Sequence, residues 1–301
     1  MKNRVLITGL VSLTLLLFGC DYVDAPYTVA GPNGCTVTQP DFTPRAAPVR
    51  KVLVEEFTGH RCGNCPRGAE TITNLQNTNG EQVIGIAHHT YNLPQFTEPL
   101  ANDTIANPEL HYLYDFRTQE SLDIDEKFGI NTAGVPTGFV NRRNFGAGVV
   151  LAYTAWNSRV TTALSAAPQM DIQLKAYWSA ADSSICVFYF VEALENLTGN
   201  YKIALYITES DIIKWQKDYN QTPNDIEFYN HKHIMRKAVN GVNGTPVTTN
   251  TNWNDGDSYI DGYSTTIDPG RLNVNNLHIV GFVYNSDNDE VIQAEEIKLI
   301  P

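Results

Sequence analysis

The sequence predicts an α/β domain followed by an all-β, sandwich-like domain. Three observations predict this. Between residues 49 and 167, compact β-branched runs alternate with segments whose apolar residues recur at helical spacing. From residue 168 onward the apolar residues alternate with polar ones in short runs separated by turn clusters. The chain has 301 residues and is 42% hydrophobic, enough for about two cores at the usual ~150 residues per domain. Charged residues make up only 18%, and 21 Lys+Arg against 33 Asp+Glu leave a net charge of −12. That balance repels a phosphate backbone, so no nucleic-acid partner is expected. A glycine-rich nucleotide loop is absent, and no cofactor is expected.

The first element is an export signal, residues 1–19. Lys2 and Arg4 precede an apolar run, Val5 to Phe18, that is shorter than the ~20 residues needed to cross a bilayer. Its end, Leu17-Phe18-Gly19-Cys20, resembles a bacterial lipobox. The resemblance implies acylation of Cys20 and a membrane partner reached through that lipid anchor. Phe18 stands where a lipobox carries a small residue, so ordinary cleavage stays open. Residues 20–48, rich in Pro, Thr, Gly and Asp, read as a tether. Export also places the five cysteines in an oxidising setting.

A buried strand follows at Lys51–Phe57, then a turn, then Cys62-Gly63-Asn64-Cys65-Pro66 leading into a helix marked by Ala69, Ile72 and Leu75. The C-x-x-C therefore falls at the first turn of a predicted helix, where Pro66 is tolerated. The positive end of that helix favours a thiolate at Cys62, with His60 and Arg61 adding to it. The i, i+3 spacing places Cys65 to resolve a mixed disulfide. Gln82–Ala87 reads as the next strand, 91–113 as an irregular insertion, Glu120–Phe128 as a short helix, Thr137–Asn141 as a strand and Ala152–Leu164 as a closing helix.

The segment Val52–Cys65 resembles the active-site region of thioredoxin-fold proteins, and Gly134-Val135-Pro136-Thr137 resembles their cis-proline loop. The resemblance implies a thioredoxin-like domain over residues 49–167. It also implies that Glu56 is a buried acid serving the second cysteine. Val135 and Pro136 would be the backbone edge that docks a cysteine-containing substrate. Arg61 stands where that family has Trp, and Gly63-Asn64 where it has Gly-Pro, so no redox potential is carried over.

In the second half, residues 168–301, the strands read at Met170–Tyr177, Ile185–Val191, Tyr201–Ile207, Leu277–Tyr284 and Val291–Ala294, with a turn at 285–289. The whole layout resembles the Bacteroidetes lipoproteins called outer membrane protein 28-related, through 55–65, His231-Lys-His-Ile-Met-Arg236 and Val291–Ala294. That resemblance implies an outer-membrane location and little about activity.

Other residues carry weaker signals. His231 and His233 share a face if their segment is a strand, though no third metal ligand is evident, and hydrogen bonding or an interdomain contact is the plainer reading. His88 and His89 end a strand near the redox helix, and could modulate its charge or sit inert at its edge. Cys35 and Cys186 could bridge the tether to the sandwich, or Cys186 could be a buried free thiol. Asp287 and Asp289 lack a full calcium loop and read as a hairpin turn. Asp103-Thr104-Ile105 matches a short O-glycosylation pattern.

Three functions are compatible with these residues. The leading one is a lipid-anchored, cell-envelope thiol–disulfide oxidoreductase acting on protein thiols and disulfides through Cys62 and Cys65. The second is a non-enzymatic surface binding module or adhesin in which the Cys62–Cys65 bond staples a loop. The third, a peroxidase-like or reductase-partner role, lacks recognisable peroxide-site residues.

Overall fold

Two adjacent acids inside an apolar strand organise the first half of the molecule, because a strand sends successive side chains to opposite faces. The computed structural model describes residues 32–100, 111–146 and 148–300. Cys20, the export signal, part of the tether, and Asp103-Thr104-Ile105 lie outside the described residues. Strand β1 (Val52–Phe57) runs parallel to β2 (Val83–His88) and antiparallel to β3 (Thr137–Val140), which a short β4 (Leu151–Ala152) extends. Helix α1 (Pro66–Asn79) connects β1 to β2; α2 (Pro94–Thr97) and α3 (Gln119–Phe128) lie between β2 and β3; α4 (Trp156–Leu164) closes the region. Val52 and Val54 pack with Ile72 of α1 and Trp156 and Val160 of α4 on one face. Phe57 and Phe139 meet Ile124 of α3 on the other.

The second half contributes β5 (Met170–Ser179), β6 (Ser184–Ala193), β7 (Leu197–Thr198), β8 (Tyr201–Glu209), β9 (Ile212–Lys217), β10 (Asp225–His231), β11 (Ile234–Ala238), β12 (Thr245–Pro246), β13 (Asn252–Trp253), β14 (Ser258–Thr266), β15 (Leu277–Asn285) and β16 (Val291–Lys298). The strands do not stay within their half. One mixed sheet runs β16-β15-β8-β11-β2-β1-β3-β4, and the halves join where β11 pairs with β2 at Ile234 and Ala87. Leu53, Ile84 and Ile86 share a core cluster with Tyr206, Met235 and Phe282. The change of pattern near residue 168 thus marks a change of connection, while the sheet continues across it.

At the far end, β8, β15 and β16 face a separate three-stranded sheet, β14-β6-β5, across a core that includes Ile172, Val187, Leu205 and Ile279. The hairpin β9–β10 belongs to neither; it forms its own two-stranded sheet and folds back over the C-x-x-C region. Residues 33–45 of the segment read as a tether lie against the three-stranded sheet, with Phe42 stacked on Phe190 and Arg45 bonded to Asp171 at 2.7 Å. Among the described residues, no helix is long and apolar enough to cross a membrane.

Candidate functional site

The chain leaves β1 at Phe57, and Thr58 N–H donates to His88 O, so the turn that follows is tied to the end of β2. Cys62 N–H donates to Gly59 O and Cys65 N–H to Cys62 O, which coils 59–65 into two consecutive turns. Cys65 is the N-cap of α1 and Pro66 its first residue. The C-x-x-C therefore precedes the helix instead of lying within its first turn, because the Pro66 ring cannot follow an interior hydrogen bond but fits a first position. Cys62 and Cys65 are joined by a disulfide with 5.4 Å between their Cα atoms.

The residues singled out in the sequence converge here. The Cys62 Sγ lies 4.0 Å from the Val135 carbonyl oxygen, and the Val135–Pro136 peptide is cis. Pro136 packs on α1 at Gly68, where a Cβ would stand 3.1 Å from the proline's own Cβ. Glu56 approaches the same glycine from below; a Cβ at position 68 would meet its Oε1 at 2.3 Å, so only glycine admits the acid beneath the helix. Cys65 and Glu56 line one cavity of about 470 Å³, together with Ile72, Ile86, His89 and His231.

The two acids of β1 have opposite fates. Glu55 is fully buried, and burial alone would favour its neutral form. The Arg142 guanidinium overrides that with two hydrogen bonds of 2.6 Å, while His88 stands 3.4 Å away; the carboxyl is held down at about 2. The same contact raises Arg142, whose guanidinium also lies over the Phe128 and Phe282 rings. Among the described residues, no cation pairs with Glu56. Burial pushes its carboxyl up to about 8, with a hydrogen bond to Thr58 working against the shift, and its Oε1 has no hydrogen-bond partner among the described residues. At neutral pH it is a carboxylic acid with a proton to give.

Histidines and aromatics pack behind the turn. Phe116 stacks against His89 at 4.9 Å between centroids and sits 4.5 Å from His231 and 5.5 Å from His60. Burial holds all three imidazoles in the neutral form: His60 is pushed down to about 4, with Arg61 adding to the shift, His231 to about 3, and His89 well down. A neutral His60 supplies no positive charge to Cys62, contrary to the sequence expectation. His231 ends β10, whereas His233 takes a positive φ of 56° beyond it, so the two are not on one strand face. His233 turns to Gln76 of α1, 3.3 Å away, and is pushed down to about 4 by burial and by His278. Among the described residues, no group of three His, Cys, Asp or Glu side chains could hold a metal ion.

The contribution that the sequence reading missed is the β9–β10 hairpin. Lys217 N–H donates to His60 O at 2.8 Å and Tyr219 N–H to Gly63 O at 2.9 Å. The Gln216 side-chain amide donates to Gly59 O at 3.2 Å and Cys62 O at 3.1 Å. Arg67 of α1 bridges to Asp218 at 2.7 Å, and the Tyr219 ring lies so close over Gly63 that a Cβ there would stand 2.5 Å from it. Under this cover Cys62 is 3% and Cys65 1% exposed, while Asn64 between them stays exposed. Ile213-Lys-Trp-Gln216 and Ile226-Glu-Phe228 alternate apolar with polar residues around a turn rich in Asp, Asn, Thr and Pro at 218–225, a hairpin signal in the sequence, but only the tertiary contacts show that the hairpin covers the C-x-x-C.

Residues 125–300 match the family described as outer membrane protein Omp28. Among solved structures, HBP35 of Porphyromonas gingivalis is similar over 85% of this chain and 77% of its own, with 17% identity and a TM-score of 0.60. That likeness extends across both halves and concerns the fold. A domain of the outer membrane lipoprotein Omp28 from the same organism has 21% identity over 44% of this chain and 89% of its own, with a TM-score of 0.30. A protein of Agrobacterium tumefaciens has 10% identity over 84% of this chain and 96% of its own, with a TM-score of 0.48. No curated protein sequence matches the chain.

Proposed function

Because the chain belongs to the Omp28 family of outer membrane proteins, we propose that it is a lipid-anchored envelope protein that exchanges disulfides through Cys62 and Cys65 in a thioredoxin-like domain. The observation that carries the reading is the uncompensated acid. Glu56 is buried beside the cavity it shares with Cys65, with no cation among the described residues to pair with it, and its carboxyl is pushed up to about 8. A disulfide that only stapled a loop has no use for such a group, which costs stability wherever it sits.

In the reducing direction, the Cys62 thiolate attacks a substrate disulfide and one substrate sulfur leaves as a thiolate, which takes a proton from water. Cys65 then gives its proton to Glu56 in the minor ionised form of that acid and attacks the Cys62 sulfur; the second substrate sulfur leaves as a thiolate that takes a proton from water, and the Cys62–Cys65 bond is restored. In the oxidising direction, neutral Glu56 returns the proton to Cys65 as it leaves the bond. The Val135 carbonyl, 4.0 Å from Cys62 Sγ, is the acceptor against which a substrate backbone would line up. Acylation at Cys20 would hold this chemistry at the membrane.

Reduced protein should consume one equivalent of a small disulfide, and Cys62→Ser should not. A second reading has one observation in its favour, the near-complete burial of both sulfurs. It makes the protein a surface binding module or adhesin with a structural disulfide. A bond that resists excess dithiothreitol in the folded state, with binding unchanged in the Cys→Ser variants, would establish that reading in place of the first.

A further inference from the structure

The outer face of the three-stranded sheet is covered by the chain's own N-terminal segment. Along β6, Ile185, Val187 and Tyr189 point into the sandwich core, so Cys186, Phe188 and Phe190 point the other way. Residues 33–45 lie across that face. Asn33 Nδ2 donates to Gly262 O at 2.9 Å, Lys175 Nζ donates to Asp41 O at 2.6 Å, and Gln173 donates to Thr43 O at 2.8 Å. Phe42 stacks on Phe190 with 5.9 Å between ring centroids. Beyond the sheet, Arg45 reaches Glu295 at 2.7 Å, which ties the strap to β16 as well.

The strap sets Cys35 onto Cys186. Gly34 rests on Ser264, which is the cross-strand partner of Cys186 in the β14–β6 ladder. Cys35, 0% exposed, then forms one buried cluster with Cys186, 3% exposed, and Phe188. In the structure both are free thiols. We propose that Cys35 and Cys186 close a second disulfide, which fastens the N-terminal strap to the three-stranded sheet when the chain meets an oxidising compartment.

The step needs a disulfide acceptor, either a small molecule such as oxidised glutathione or an oxidised dithiol protein. One of the two sulfurs attacks the acceptor and forms a mixed disulfide, and one acceptor thiol departs. The other sulfur attacks that intermediate and releases the second thiol, so two hydrogens and two electrons pass from the protein to the acceptor. Burial, with Cys186 adding to it, raises the Cys35 thiol well above its usual range, so exchange in the folded state is slow. The bond therefore forms as the strap docks and persists afterwards. It closes a loop that contains the entire first half of the molecule.

The test is a non-reducing peptide map of the full chain recovered from an oxidising cell envelope and blocked with a maleimide in denaturant before digestion. The expected result is one linked pair of peptides, carrying Cys35 and Cys186, that becomes maleimide-reactive only after reduction. Reduced protein should also be clipped within residues 33–45 several-fold faster by a broad protease than oxidised protein. Maleimide on both Cys35 and Cys186 without reduction, both in the recovered chain and after refolding in oxidised glutathione, would overturn the proposal. Cys35→Ser, which leaves the sheet intact, should map with Cys186 unlinked; Cys186 paired elsewhere in that variant's parent would overturn it equally. None of these readouts depends on what Cys62 and Cys65 do.

Discussion

Replacing Glu56 with glutamine tests whether that side chain is a buried neutral acid. The folded protein holds a proton on Glu56 up to about pH 8, whereas the unfolded chain releases it near the ordinary carboxyl value of 4.5. Between those two pH values the native state binds more protons, so wild-type stability falls as pH rises, by about 1.4 kcal/mol per pH unit. At pH 5 the acid is nearly free of cost; by pH 7 it costs about 3 kcal/mol relative to an ionised, solvated carboxyl. Glutamine has the same shape and no proton to lose. Glu56→Gln should therefore match wild type within about 1 kcal/mol at pH 5 and exceed it by about 3 kcal/mol at pH 7. The buried histidines titrate alike in both proteins and cancel from the difference. Urea unfolding at pH 5, 6, 7 and 8, with the disulfide kept oxidised and the midpoint and slope fitted separately, measures it. A stability difference that stays flat across that range would refute the assignment of Glu56 as a neutral buried acid, and with it the proton step at Cys65.

Four further outcomes follow from the same geometry. Arg142→Met should destabilise the fold by about 3–5 kcal/mol, because it strands the Glu55 carboxylate in the core; Glu55→Gln combined with Arg142→Met should recover much of that loss in chemical denaturation. His231 is held down at about 3 while the unfolded chain takes up a proton near 6.5. Its stability contribution is therefore lost as pH falls below 6.5, and His231→Phe should gain about 2 kcal/mol on wild type between pH 6.5 and pH 5. Gln216→Ala removes the amide that donates to Gly59 O and Cys62 O, so reduction of the Cys62–Cys65 bond by dithiothreitol should quicken about 5–10-fold, the equivalent of one or two hydrogen bonds holding the hairpin closed. An unchanged rate would mean that the hairpin does not limit access to the sulfurs. Gly68→Ala should unfold the protein or distort the helix start, seen as loss of native circular dichroism, since a methyl there would meet Glu56 Oε1 at 2.3 Å.

Much of this molecule was legible in its sequence because local pattern and core burial coincide. The strand at 52–57, the helix after Cys65, the short helix ending at Phe128 and the strands from 170, 184, 201, 277 and 291 all occur within a few residues of their expected positions. Each is either a run buried on both faces or an alternating one, so its period records which faces are covered. The C-x-x-C is read from its setting between a strand and a helix, and Glu56, Val135 and Pro136 from resemblance; Glu56 and Pro136 meet at Gly68, Glu56 and Cys65 share a cavity, and the Val135 carbonyl lies 4.0 Å from Cys62 Sγ. Glu55 shows the limit of such reading. Two neighbouring glutamates in one strand look equivalent, and only the arrival of Arg142 from 87 residues away makes one an ion and the other an acid.

The sequence alone thus located the main strands and helices of the first half, five strands of the second, and a cysteine pair at the start of a helix, because all of these are properties of consecutive residues. The tertiary structure decided the rest. It ran a single sheet through both halves, seated the strap on the outer face of β6, and closed the β9–β10 hairpin over the disulfide. These contacts join segments far apart in the chain, many through backbone N–H and C=O groups that every residue carries, so nothing in the residue types marks them in advance.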